Sequence, residues 1–271
     1  MGESAGLDHL TADRVVETAH PAGAGNFVLA CEHASNFIPE SYHALGLGEA
    51  ELASHIAWDP GALDVARAMS ARLDAPLVAA RLSRLVYDCN RKPGAPSAAP
   101  DVSDGIKVPG NAGLSKADIT RRRERIYAPF RAELARVMEG RRRSGHGPML
   151  VTVHSFTPVH GGVRREMELG VLHDADSRLA DAVLAIADAD GRLKVRRNAP
   201  YGPEDGVTHT LVEHALPHGL PNVMLEIRND LLVRPEQRKA MAEMLSDWLV
   251  RAEADLKDTS DRRRAGGTGG G

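Results

Sequence analysis

Apolar residues fall along the chain in two rhythms. Asn26 to Cys31 (NFVLAC) is a continuous apolar run of the kind found in a strand buried on both faces, and it stops at Glu32, His33, Ser35 and Asn36, with Pro39 beyond. Similar short runs recur at Pro76 to Ala80, Arg84 to Cys89, Met149 to Val153, Glu168 to Leu172, Leu193 to Arg196 and Asn222 to Ile227, and each predicts a strand. Between them apolar positions recur every three or four residues. Leu63, Val65, Ala66, Met69 and Leu73 define a helix entered through Asp59-Pro60, read as an N-cap followed by proline at the first helical position. A short helix near Glu49 precedes it, and a long one is expected from Ser115 to Arg143, kinked at Pro129. Further helices are predicted at Ser177 to Asp188, Thr208 to Leu216 and Pro235 to Leu256. Strands alternating with helices predict an α/β fold: a mixed, mostly parallel central sheet with helices on both faces, whose ligands bind beyond the carboxyl ends of the strands. Lys92 to Gly113, rich in Pro, Gly, Ser and Ala, is too long for a plain connector and reads as a lid or site loop. No internal repeat is evident. The expected organisation is a polar segment over 1–25, one catalytic domain over 26–256 and a disordered tail over 257–271.

Composition narrows the classes. The 271 residues are 42% hydrophobic and 26% charged, which excludes disorder, collagen and coiled coil for the bulk. With only 4% aromatic residues, the core must be built from Leu, Val, Ile and Ala. A formal charge of -3 provides no positive field toward phosphate backbones, so nucleic acid is not an expected partner. Cys31 and Cys89, both in apolar runs, make no disulfide framework and fit a reducing compartment. No apolar run approaches the roughly 18 residues a membrane span requires, and the first residues are polar and acidic; a cytoplasmic protein with no membrane partner is expected.

Three predicted strands end in His33, His154 and Glu226, and a fourth in Asp88, Asn90 and Arg91. In an open sheet those ends share one crevice. Two imidazoles and a carboxylate form a Zn(II) site, or one for another divalent metal, that leaves a position for water. Asp59, close after the first strand, is the nearest carboxylate to complete the set, leaving Glu226 as the general base. Arg91 with Asn90, and Arg84, Arg164 and Arg228, suggest a small acidic substrate held through guanidinium–carboxylate pairs; ion pairs with Asp88 or Asp230 are the competing assignment. His9, His20, His43, His146, His160, His209 and His218 are read as background. No GxSxG elbow or GxGxxG turn follows a strand, which disfavours a serine hydrolase and a nucleotide-binding protein.

The stretches CEHASNFIP, HIAWDPGA, SRLVYDCNR, VHSFTP, NAPY and EIRNDL, in that order over residues 26–249, resemble the N-formylglutamate amidohydrolase family, in its branch with HASN after the first strand. The resemblance implies a fold of the phosphorylase/hydrolase type, similar to zinc carboxypeptidases and zinc-dependent muramoyl-alanine amidases. It implies His33 and His154 as paired metal ligands, Asp59 as the acidic ligand, Glu226 as the catalytic glutamate and Asn90-Arg91 as the carboxylate-binding pair. Where zinc carboxypeptidases carry a ligand glutamate three residues after the first histidine, this chain has Asn36, assigned instead to substrate binding, so Asp59 or Glu32 must supply the third ligand. The implied activity is metal-dependent cleavage of N-formyl-L-glutamate, or a close N-acyl amino acid, with Arg84 stabilising the oxyanion. An amidase or carboxypeptidase acting on a peptidoglycan-like substrate, and a non-catalytic binding relative, are the alternatives.

Overall fold

The computed structural model describes residues 11–145 and 147–266. In chain order its strands are β1 (Val16–Ala19), β2 (Phe27–Cys31), β3 (Leu77–Ala80), β4 (Val102–Ser103), β5 (Ile106–Lys107), β6 (Met149–Phe156), β7 (Val159–His160), β8 (Val163–Arg164), β9 (Leu169–Leu172), β10 (Val195–Arg197) and β11 (Asn222–Arg228). Seven of them form one sheet in the order β1-β3-β2-β6-β11-β9-β10, while β4-β5 and β7-β8 are separate two-stranded hairpins. β3, β2, β6 and β11 run parallel; β1 and β9 join antiparallel to β3 and β11, and β10 runs parallel to β9. The sheet is thus mixed and mostly parallel, as its patterning predicts, and the carboxyl ends of β2, β6 and β11 lie side by side.

The helices are α1 (Ala12–Val15), α2 (Glu49–Ala53), α3 (Ala62–Arg72), α4 (Lys116–Arg122), α5 (Ala128–Arg143), α6 (Arg178–Asp190), α7 (His209–His214) and α8 (Pro235–Gly266). Side chains alternate across β2: Leu29 and Cys31 pack with Met69, Leu179, Leu245 and Trp248 of α3, α6 and α8. Val28 and Ala30 pack with Phe130, Leu134 and Leu211 of α5 and α7. Strands buried on both faces read as continuous apolar runs for this reason. Trp248 is fully buried, and its indole N–H donates to Asp190 at 2.7 Å.

Several elements depart from the sequence reading. Residues 16–19, assigned to a polar segment, form β1 on the sheet edge. Arg84 to Cys89 is not a strand but a buried turn in which Arg84 pairs with Asp88 four residues on. Between α4 and α5 lies a π-helical turn, Arg123–Tyr127, which ends just before Pro129; widening the coil there relieves the clash of a proline ring with the preceding turn. α8 runs to Gly266, so residues 257–266 of the expected tail are helical, and 267–271 lie outside the described residues. α3 begins at Ala62 with Gly61, not Asp59, at its N-cap. Gly61 has φ +82°, and a Cβ there would sit 2.7 Å from Leu232 Cβ, so only glycine fits both the conformation and the space. Among the described residues no helix is long and apolar enough to cross a membrane, and Cys31 and Cys89 are free and buried.

Candidate active site

β2 delivers His33 two residues past its end, β6 carries His154 inside the strand, and β11 sets Glu226 directly opposite His154 in register. The backbone N–H of Asp59 donates to the His33 carbonyl at 2.9 Å, which brings this loop back over the strand end. The Asp59 carboxylate is consequently turned away from the helix it was expected to cap. Its Oδ2 lies 2.9 Å from His154 Nδ1 and 3.3 Å from His33 Nδ1, and it accepts the Ser155 N–H at 3.2 Å. The two Nδ1 atoms are 3.2 Å apart, with the rings near perpendicular at 71°. His33, Asp59 and His154 each offer a donor atom within 4.8 Å of the others, and all three are buried.

The outer ring nitrogens face carboxylates. His33 Nε2 is 2.8 Å from Asp88 Oδ1, which also accepts the Asn90 N–H. His154 Nε2 is 3.1 Å from Glu32 Oε2, an ion-pair distance without hydrogen-bond alignment. Glu32 therefore stands behind His154, on the side away from the cluster of donors, whereas Asp59 stands within it. Arg84 donates to Asp88 Oδ2 at 2.8 Å and lies 3.6 Å from Asp59 Oδ1.

The electrostatics follow from burial among opposite charges. Burial disfavours the charged forms of Asp59 and Asp88, yet His33 beside both of them, with Arg84 beside Asp88, holds each carboxyl below its usual range. Burial likewise disfavours the His154 cation, but Glu32 and Asp59 outweigh it and push the imidazole up. Glu226 goes the other way: burial, reinforced by Asp59, raises it to about 7, and its Oε2 has no hydrogen-bond partner. A carboxyl held near neutrality in a cleft is suited to taking and returning a proton.

His33, Asp59, Arg84, Asn90, Arg91 and Glu226 line one cavity of about 320 Å³. Asn90 is anchored to the fold: its Nδ2 donates to Val207 O and its Oδ1 accepts from Thr210 N and Oγ1, which fixes the segment that carries Arg91 at the cavity. Arg91 donates to Asn90 O and leaves its Nε without a partner. Three predicted substrate-binding residues are not brought together with these. Asn36 is outside the cavity lining, exposed, and donates to Leu52 O. Arg164 is exposed on β8. Arg228 is engaged by Asp230 at 2.8 Å and by the carbonyls of Arg165 and Met167, so the competing ion-pair assignment holds for it. Conversely Tyr201, Ser103, Asp104, His55 and His160 line the cavity without having been singled out. Tyr201 lies within the NAPY stretch, but His160 and Asp104 sit in turn-rich sequence that carries no periodic signal. His209, read as background, is within hydrogen-bond distance of Tyr127 OH at 2.8 Å.

Fold and site together describe an α/β protein in which a buried His–Asp–His group able to hold a metal ion, and a glutamate raised to about 7 beside it, sit at the carboxyl ends of parallel strands. The chain belongs to the N-formylglutamate amidohydrolase family, whose signature matches residues 25–233, and it is accordingly a hydrolase acting on amide bonds. It is similar to a gene product of Agrobacterium tumefaciens of known crystal structure, with 49% identity and a TM-score of 0.89 over 91% of this chain and 97% of that one. It also shares the fold of N-formylglutamate amidohydrolase from Ralstonia eutropha, at 20% identity and a TM-score of 0.62 over 90% and 99% of the two chains. No curated protein matches the chain.

Proposed function

We propose that the protein hydrolyses N-formyl-L-glutamate or a close N-acyl amino acid, with a divalent metal, Zn(II) or another, held by His33, Asp59 and His154 and with Glu226 as the proton carrier. The observation that carries this reading is the convergence of three buried donor atoms beside a carboxyl held at about 7, in a small cavity edged by Arg84 and Arg91. Two facts favour a cation among the donors. The facing Nδ1 atoms, 3.2 Å apart, cannot both point protons at each other, and each ring has its other nitrogen against a carboxylate. Carboxylates behind ligand histidines fix the tautomer that frees the inner nitrogen. Two imidazoles, each giving up its inner proton to a bound ion, and one carboxylate are a donor set that suits zinc, with room left for water.

A divalent ion bound there supplies Lewis acidity toward the acyl carbonyl and acidifies water. Glu226 Oε2 takes the proton of the attacking water and returns it to the amide nitrogen as the C–N bond breaks, which releases the free amino acid. Arg84, anchored on Asp88, presents its guanidinium to the negative charge that develops on the acyl oxygen. Arg91 pairs with a substrate carboxylate, its guanidinium held by the Asn90 carbonyl and the segment fixed by the Asn90 amide. Asp88 steadies both His33 and Arg84 with its two oxygens.

The test is a substrate panel: metal-reconstituted protein assayed for amine release from N-formyl, N-acetyl and N-succinyl derivatives of glutamate and aspartate. Turnover highest with N-formylglutamate supports the reading; release from none of the six overturns it.

A further inference from the structure

Two small hairpins meet over the mouth of the cavity. In β4-β5 the turn is Asp104-Gly105, with φ of +47° and +77°, and in β7-β8 it is Gly161-Gly162, with φ of +55° and +78°. Two consecutive positive φ values make each a tight two-residue turn that matches the twist of its strands, and Asp-Gly and Gly-Gly are sequences that tolerate it. The turns thus hold Asp104 and His160 out at the two tips. Asp104 uses both carboxylate oxygens there: Oδ1 lies 3.0 Å from His160 Nδ1, and Oδ2 lies 2.8 Å from His55 Nε2, just past α2. One carboxylate therefore ties together three excursions that leave the sheet separately. Ser103, Asp104, His55 and His160 line the same cavity as His33 and Glu226.

We infer that this clasp is a substrate-size gate: with Asp104 joined to His55 and His160, the cavity admits a single amino acid bearing a short acyl group and excludes longer acyl chains. The inference rests on the amidohydrolase reading and adds the determinant of its size selectivity. Exposed ion pairs are individually weak, so closure comes from one residue joining three segments, and removing that residue releases all of them at once. Asp104 touches none of the His33, Asp59, His154 and Glu226 side chains in any hydrogen bond or ion pair, so its loss opens the mouth and leaves the chemistry in place.

The experiment compares the parent with Asp104→Ala and His160→Ala on N-formyl-, N-acetyl-, N-butanoyl- and N-hexanoyl-L-glutamate, all cleaved at the same bond. In both variants kcat/KM for the formyl compound should stay within about threefold of the parent, while the hexanoyl-to-formyl ratio rises about tenfold or more. Hydrogen exchange, which needs no turnover, is read in parallel on residues 101–107 and 158–164. Faster exchange in both hairpins on removing Asp104 alone supports the clasp. An unchanged chain-length profile in both variants overturns the gate, and exchange that rises in one hairpin or in neither overturns the clasp. Absence of turnover by the parent on all four compounds overturns the amidohydrolase reading, and the exchange result then decides the clasp by itself.

Discussion

Replacing Glu226 with glutamine keeps the shape of the side chain and removes its ability to hold a proton. The site gives this change three separable consequences. Loss of a positioned general base costs about 10² to 10⁴ in kcat, equivalent to about 3 to 5 kcal/mol of barrier. Metal content should be unchanged, because the donors placed to hold an ion are His33, Asp59 and His154 and not Glu226. Stability of the metal-free chain changes in the opposite direction to activity. Glu226 is 4% exposed and titrates at about 7 instead of the ordinary 4.5. Between those two pH values the folded chain keeps a proton that the unfolded chain has released, so stability falls as pH rises through the window. The loss approaches about 3 kcal/mol above pH 7. The amide carries no such penalty. Glu226→Gln should therefore unfold at a higher temperature than the parent at pH 8, by several degrees, with the gap closing at pH 5. The assays are steady-state kinetics, metal analysis and thermal melts of the chelated proteins. A variant that loses its metal would make Glu226 a ligand, and one that retains parent turnover would place the base elsewhere.

Arg91→Lys keeps the charge but loses the paired hydrogen bonds, so kcat/KM should fall about tenfold to a hundredfold on the free acid and much less on the corresponding amide; Arg228→Lys, tied to Asp230, should leave that acid-to-amide ratio unchanged. Burial lowers His214 to about 4, so from pH 6.5 down to 4 the unfolded chain takes up a proton that the folded chain refuses. Stability should decline by up to about 3 kcal/mol across that range, and acid unfolding of His214→Gln should lack this slope. Gly61→Ala should cost about 1 to 3 kcal/mol in denaturant melts, because alanine at φ +82° is strained and its Cβ meets Leu232.

The sheet was legible because its strands are buried on both faces, and NFVLAC and NVMLEI announce that in unbroken apolar runs. Their carboxyl ends then located His33, His154 and Glu226. What the pattern could not convey was side-chain direction. Asp59-Pro60 has the composition of a helix cap, but the Asp59 N–H bond to His33 O turns the carboxylate into the site, and no local signal distinguishes the two. Arg84 to Cys89 has strand-like composition, yet Arg84 pairs with Asp88, which also meets His33, and a ladder would have separated Arg84 from Asp88. Asn36, Arg164 and Arg228 had the right chemistry in the wrong orientation. The hairpins at the cavity mouth are two residues per strand, too short for any period to register, so Asp104, His55 and His160 come together only in three dimensions.

On the proposed reading, His33, Asp59 and His154 hold one metal ion on which amide hydrolysis depends. The most direct measurement titrates zinc into chelator-stripped protein while following glutamate release from N-formyl-L-glutamate. Turnover should rise and level off sharply at one equivalent in the parent, and should not rise in Asp59→Ala or His154→Ala proteins that remain folded. Full turnover by the stripped parent, or an identical titration in either variant, would contradict it.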